Sequence, residues 1–291
     1  MELYKTFIII LGYLLLIISL LPLIRLDHWF FRVFEYPRVQ KLILNIIVLT
    51  AFFCLYKIET LNDSLFSTFL TLNVGYLTFQ VYPFTLIAEK QLISTLNYNS
   101  DRSIALFIGN VFQYNRNAKE YLESVLRAEP DVIMLVETDI WWARQAEVLS
   151  EKYPHQILVP LENTYGMLLY SKFELIGGQV KYLVQDDIPS VHTCIKLPSG
   201  DQVRFHGLHP TPPVPGENPR STERDKEILL VAKSSKNSDL PVIVAGDLND
   251  VAWSYTTQLF SKVSGLLDPR KGRGFFNTFH AKYRLMRYPL D

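Results

Sequence analysis

Pro241-Val-Ile-Val-Ala-Gly-Asp-Leu-Asn-Asp250 is an apolar, β-branched run that breaks abruptly into glycine and acid. Such a run, too short for a helix and without alternation, predicts a strand over residues 241–245 buried on both faces. A buried strand that ends in a carboxylate presents the acid at the rim of a sheet, held by a rigid element yet open to solvent or metal. The chain repeats the device in Asp131-Val-Ile-Met-Leu-Val136, which delivers Glu137. A third apolar strand over residues 103–111 carries Asn110 near its end. Between the first two strands, Ala118, Tyr121, Leu122, Val125 and Leu126 fall at helical spacing before Pro130. Further strands are expected at 166–170, 175–183, 191–197 and 203–208, the last two joined as a hairpin by Pro198-Ser-Gly-Asp201, and a helix at 222–234. Strands interleaved with helices predict an α/β or layered α+β domain from residue 103 onward.

Glu137 with an amide or carboxylate from a neighbouring strand suits a hard divalent cation, which takes a few oxygen ligands and keeps several waters. Asn110 is such a neighbour. Singly, Glu137, Asn110 and Asp247 also read as strand-terminating turn residues or helix caps; together they favour a site. His206 and His209 are three apart in an extended segment and point to opposite faces, which disfavours a two-histidine zinc site. His209, followed by Pro210, Pro212 and Pro213, is the better functional candidate, with a packing role as its alternative. Arg270, Lys271 and Arg273 with Gly272 and Gly274 suit a phosphate cradle, and equally a solvated basic loop. Gly-x-Ser-x-Gly, P-loop and Gly-x-Gly-x-x-Gly patterns do not occur.

Asn110-Val111, Leu135-Val-Glu-Thr-Asp139, Gly166-Met-Leu-Leu-Tyr-Ser-Lys172, His209, Gly246-Asp-Leu-Asn-Asp250 and Tyr288-Pro-Leu-Asp291 follow one another in a fixed order. In that order they resemble the motifs of the endonuclease/exonuclease/phosphatase (deoxyribonuclease-I-like) family, over residue 103 to the end. The resemblance implies a four-layer α/β/β/α sandwich, two packed β-sheets flanked by helices, that cleaves phosphoester bonds with Mg2+, or Mn2+ in its place. It assigns Asn110 and Glu137 to the metal and Asp247 to orienting or deprotonating the attacking water. Asn249 and His209 would hold phosphate oxygens, with Arg270 and Arg273 as further phosphate contacts. Asp291 resembles the aspartate that orients the family's catalytic histidine. That histidine belongs to a closing Ser-Asp-His motif, which these residues do not include. The reading therefore expects a sandwich lacking its last strands, and a piece of an active enzyme rather than a natural pseudoenzyme.

The first 90 residues differ in kind. They hold 7 basic and 6 acidic residues of 29 each in the chain, leaving 22 and 23 for the rest. Uncharged runs at 6–24, 42–56 and 64–88 predict a membrane region, residues 1–90, of about three transmembrane helices, with two as the alternative count. The first run is followed by Arg25 and Asp27 with no Ala-x-Ala-like site, which disfavours a cleaved signal peptide. Lys41 and Lys57 flank the second run and would reach outward to the interfaces. His28-Trp-Phe-Phe-Arg-Val-Phe-Glu-Tyr-Pro-Arg38 reads as an interfacial stretch, and residues 91–102 as a linker. Arg25, Arg32, Arg38, Lys41, Lys90 and Arg102 against Lys5 and Lys57 place the domain on the cytoplasmic side, in a bacterial inner membrane.

Zero net charge excludes a histone-like polyanion binder, and two distant cysteines, Cys54 and Cys194, exclude a disulfide scaffold. The expected protein is a membrane-anchored, metal-dependent phosphoesterase whose partners are the lipid bilayer and a phosphoester substrate, either nucleic acid or a phospholipid or inositol phosphate. The alternative is a non-catalytic membrane protein that binds a phosphorylated ligand.

Overall fold

The structure is a computed structural model that describes residues 2–283 and 285–290. The part from residue 103 onward is two four-stranded sheets packed face to face. The first contains β1 (Leu106–Asn110), β2 (Val132–Val136), β3 (His155–Val159) and β4 (Met167–Ser171) in the order β1-β2-β4-β3. The second contains β5 (Glu174–Lys181), β6 (Ser190–Lys196), β7 (Gln202–Leu208) and β8 (Val242–Gly246) in sequential order. Val132, Met134 and Val136 of β2 and Met167 and Leu169 of β4 face Val191, Ile195, Val203, Phe205 and Ala245 of the second sheet. The opposite faces of β2 and β4 pack on α5 (Ala118–Arg127) and α6 (Ile140–Ala146) through Leu122, Val125, Trp142 and Ala146. On the second sheet, α7 (Thr222–Lys236) and α8 (Tyr255–Ser264) bury Ile228, Ala232 and Phe260 with Val244. Burial on both faces explains why β2 and β4 read as unbroken apolar runs rather than alternating ones.

One feature of topology positions the site. Each sheet ends in a parallel pair, β1 beside β2 and β7 beside β8, with helices α5 and α7 as crossovers. In register, Asn110 lies opposite Val136 and Leu208 opposite Gly246, so the C-terminal ends of each pair are level. Residues 265–290 form turns and one isolated bridge between Phe279 and Tyr288, and among the described residues no strand pairs the free edge of β8.

The hairpin turn is as expected: Leu197 N donates to Asp201 O and Gly200 N to Leu197 O, both at 2.8 Å, with Gly200 at φ 89°. Three elements were not foreseen. Strand β3 and helices α6 and α8 lie in stretches whose apolar residues show no clear period; α6 starts at an Asp139 cap on Trp142 N (2.7 Å) and α8 at a Ser254 cap on Thr257 N (3.0 Å).

The N-terminal region forms α1 (Glu2–Leu20), the short α2 (Trp29–Arg32), α3 (Arg38–Leu55) and α4 (Leu61–Val81). Helices α1, α3 and α4 bundle around Leu15, Val48, Phe52, Phe66 and Leu70. Gly12 lets α1 approach, since a Cβ there would stand 2.4 Å from the Phe66 ring. Among the described residues two stretches, Glu2–Leu23 and Arg38–Leu55, are long and apolar enough to cross a membrane. Helix α4 is 21 residues long, but Asn62, Asp63, Ser67, Thr71 and Asn73 lower its average. Those polar groups largely turn inward: Asp63, Ser67 and Asn73 are buried, with Asn73 Nδ2 donating to Asn45 Oδ1 at 2.9 Å, while Leu65, Phe69, Leu72 and Phe79 are exposed. Lys41 corrects an expectation. Its ammonium turns inward and donates to the carbonyls of Phe34 (2.7 Å) and Ile18 (3.2 Å), satisfying groups that chain ends leave open. The 28–38 stretch differs as well, because its polar groups bind Pro219, Asp225 and Asn249 of the two-sheet domain.

Candidate functional site

Four strand ends supply the site. Asn110 closes β1, Glu137 follows β2, His209 follows β7 and Asp247 follows β8. The Asn110 amide nitrogen donates to Glu137 Oε1 at 2.6 Å and to Asp247 Oδ2 at 3.1 Å, joining carboxylates from opposite sheets. Asn110 Oδ1 in turn accepts from Phe112 N at 2.8 Å. The other Glu137 oxygen faces Gln113 N at 3.4 Å. Gln113 also ties this loop to the next, donating to Glu162 O (3.1 Å) and accepting from Thr164 N (2.8 Å).

The backbone is shaped for this presentation. Glu137 and Asn249 have φ of 59° and 51°, left-handed values uncommon for residues with a Cβ. Gly246 has φ 137°, and a Cβ there would lie 1.9 Å from the Leu208 carbonyl oxygen. The glycine ahead of Asp247 is therefore required by its conformation and by its closeness to β7. Asn249 is fixed on three sides: its N–H donates to Asp247 Oδ1 (3.0 Å), its amide to Pro210 O (2.9 Å), and its carbonyl accepts from Arg224 (2.7 Å) and Tyr36 (3.1 Å). Below it, buried Asp250 accepts from Ser254 (2.5 Å) and lies 3.4 Å from the buried Arg224 guanidinium.

His209 is buried, with no hydrogen-bond partner at Nδ1, and its ring lies 5.1 Å from that of Tyr165. Burial holds its pKa below the ordinary histidine value, against the opposing pull of Asp247 and Glu137, so it is neutral near pH 7. The Tyr165 hydroxyl donates to Glu217, whose pKa burial and the Glu137 charge raise. His206 takes the opposite face of β7, and its Nδ1 meets Nδ1 of His192 at 2.6 Å.

The basic loop lies apart from these contacts. Arg270 makes a two-pronged pair with Asp268, both contacts at 2.9 Å, and Arg273 reaches Ser94 at 3.4 Å. Gly272 serves a backbone rather than an anion: a Cβ there would stand 2.6 Å from Glu89 O, and Gly272 N donates to Pro83 O at 2.9 Å. Asp291 lies outside the described residues. Sequence reasoning overlooked Gln113, Tyr165, Glu217 and Tyr36. Nothing local marks them; only Asp250 stood inside a recognised motif without receiving a role.

Glu137, Asp247 and Asn249 offer hard oxygen donors; Asn110 draws the two carboxylates together through its amide nitrogen and would turn its oxygen inward to join them at an ion. That donor set fits a divalent ion such as Mg2+ that retains part of its water shell. Among the described residues no group of three or more His, Cys, Asp or Glu side chains is placed to hold a metal ion, so the set rests on two carboxylates with amide oxygens.

Solved structures similar to this chain include humanized D. rerio TDP2 (17% identity, TM-score 0.44, 50% of this chain and 62% of that one). Sphingomyelinase C from Streptomyces griseocarneus matches with 16% identity and TM-score 0.44, over 57% of this chain and 70% of that one. The human Nocturnin catalytic domain matches with 18% identity and TM-score 0.46, over 55% and 70%. The chain thus spans less than two thirds of the first of these. No curated protein matches the sequence. The model of the Endonuclease/Exonuclease/phosphatase family matches residues 71–291, starting within α4 and well ahead of residue 103, and the chain belongs to that family.

Proposed function

We propose that this protein is a membrane-anchored, divalent-metal-dependent hydrolase of phosphodiester bonds, with Mg2+ as its ion. The observation that carries the reading is the Asn110 amide joining Glu137 and Asp247 across the two sheets, at 2.6 and 3.1 Å. Glu137 and Asn110 would hold the ion, which supplies charge neutralisation for the phosphoryl oxygens. Asp247, oriented by Asn249 N and Asn110, accepts the proton of the attacking water as its oxygen bonds to phosphorus and the bond to the leaving oxygen breaks. One N–H of the Asn249 amide is used by Pro210 O, which leaves the second for a phosphoryl oxygen. Neutral His209 donates through one ring nitrogen. Donors fixed before the reaction stabilise developing charge without reorganising. Arg270 is paired with Asp268, so the phosphate contacts proposed are those of Asn249 and His209, with Arg273, whose Nη1 is unpartnered, as a further one.

The anchor reading rests on the bundle's inverted pattern, polar groups inside and apolar side chains outside, which suits lipid as solvent. It includes α4 as a third span. The basic residues at one end of the bundle favour the cytoplasmic face of a bacterial inner membrane. A site tethered beside a bilayer, in a domain with 22 basic against 23 acidic residues, favours a phospholipid or inositol phosphate headgroup over a long polyanion.

The test is Mg2+-dependent cleavage of bis(p-nitrophenyl) phosphate by the protein isolated from its source, compared with Asp247→Ala. A rate lower by about 10³-fold in the variant supports the proposal. Equal rates would sink it.

A further inference from the structure

The loop that carries Asp247 and Asn249 is braced from outside its own domain. Chain leaving α1 returns into α3 by way of residues 24–37, and this segment lies along the catalytic half. Asp27 accepts from Arg220 (3.0 and 3.1 Å) and Thr222 (2.5 Å), and its carbonyl accepts from Ser221 N (2.7 Å). Trp29 N donates to Pro219 O at 2.8 Å, and Arg32 pairs with Asp225 at 3.3 Å. Glu35 continues the contact: its carbonyl accepts from Trp253 Nε1 (2.8 Å) and its carboxylate from Tyr255 N (3.3 Å). Last comes Tyr36, whose hydroxyl donates to the Asn249 carbonyl at 3.1 Å while its ring stands edge-on to Tyr288, centroids 5.7 Å apart.

The place of the Tyr36 contact matters. Asn249 holds a left-handed backbone, which asparagine enters more readily than other residues with a Cβ, so the contacts of its N–H, amide and carbonyl decide how it is presented. Its carbonyl has two donors: Arg224, from the catalytic half, and Tyr36, from the membrane region. The second donor stands two residues before the start of α3 at Arg38.

We propose that the α1–α3 segment couples the helical bundle to the catalytic loop, with Tyr36 as the positioning residue that transmits the bundle's arrangement to Asn249. The clamp at Asp27 holds the segment on the domain; the Tyr36 hydroxyl sets the carbonyl, and through it the direction of the Asn249 amide. Tyr36 does not touch substrate. This inference rests on the function proposed above only where it is read as activity.

Tyr36→Phe removes one oxygen and keeps the ring packing. In the full-length protein, assayed with Mg2+ and bis(p-nitrophenyl) phosphate in detergent and in phospholipid vesicles, the variant should lose about 3- to 10-fold in kcat, with KM and melting temperature unchanged. A wild-type rate that rises on transfer to vesicles should rise less in the variant. Amide hydrogen exchange over residues 247–253 supplies a readout that needs no turnover, and it should quicken in Tyr36→Phe and in Asp27→Ala. Unaltered exchange and unaltered kcat in Tyr36→Phe would overturn the inference. A wild type without hydrolysis but with exchange quickened in both variants would count against the proposed function and leave the coupling standing.

Discussion

At the scale of single residues, conformation and charge burial dominate. Gly246 combines φ 137° with a Cβ position 1.9 Å from the Leu208 carbonyl, so Gly246→Ala must displace either β8 or the loop. The substitution should cost about 2–4 kcal/mol and abolish turnover, measured by denaturant unfolding and by the diester assay. Glu227, buried in α7 with Oε1 unpartnered, has its pKa pushed up by burial to about 7. Between the ordinary value of 4.5 and about 7 the folded state keeps a proton that the unfolded chain releases. Its contribution is therefore fully present below pH 4.5 and is lost as pH rises through 7. Glu227→Gln should be more stable than the wild type at pH 8, by about 1–3 kcal/mol, and much closer to it at pH 5. An equal difference at both pH values would refute the assignment. Asn110, Glu137 and Asp247 stood out in the sequence because each ends an apolar strand, where a polar residue is conspicuous; the role expected of Asn249 came from the resemblance, and His209 stood out beside its prolines. Tyr36 and Tyr165 were not, because their roles come from contacts more than 40 residues away in sequence.

Among elements, β2 and β4, buried along their whole length, and the apolar β8 were the easiest to read, whereas β7 sets Val203 and Phe205 among Gln202, Arg204 and His206. Strand β3 was hidden because it lies at the edge of the first sheet, only partly buried, so its sequence lacks both alternation and a fully apolar run. Helix α8 was hidden because Thr256, Thr257 and a short length weaken its helical signal; tertiary packing of Phe260 and its cap decide it. Ser254 serves that cap and also donates to Asp250 beneath the catalytic loop. Ser254→Ala should therefore cost about 1–2 kcal/mol and also lower kcat, whereas a cap serving α8 alone would leave kcat intact. The basic loop shows what its glycine accommodates. Gly272 permits close approach of a backbone, as the sequence argument required, but the approaching group is the 89–90 chain rather than phosphate.

For the molecule as a whole, the parallel pair in each sheet brings four strand ends to one rim, and the helical bundle braces that rim through residues 27–36. The order of strands and helices gave a layered α/β or α+β domain and the family resemblance implied the sandwich; the brace was not legible, since the 28–38 stretch has the aromatic and basic composition of a membrane surface. Its exposed Phe30 and Val33 keep part of that character while its polar groups face the domain. The measurement that bears most directly on the account is phosphodiester hydrolysis by the protein from its source, stripped by a chelator and then titrated with Mg2+, beside Glu137→Ala. The account predicts that stripping abolishes the wild-type rate, that Mg2+ restores it, and that Glu137→Ala stays inactive at the same Mg2+ concentration. A wild-type rate indifferent to the chelator, or no hydrolysis at any Mg2+ concentration, would contradict it.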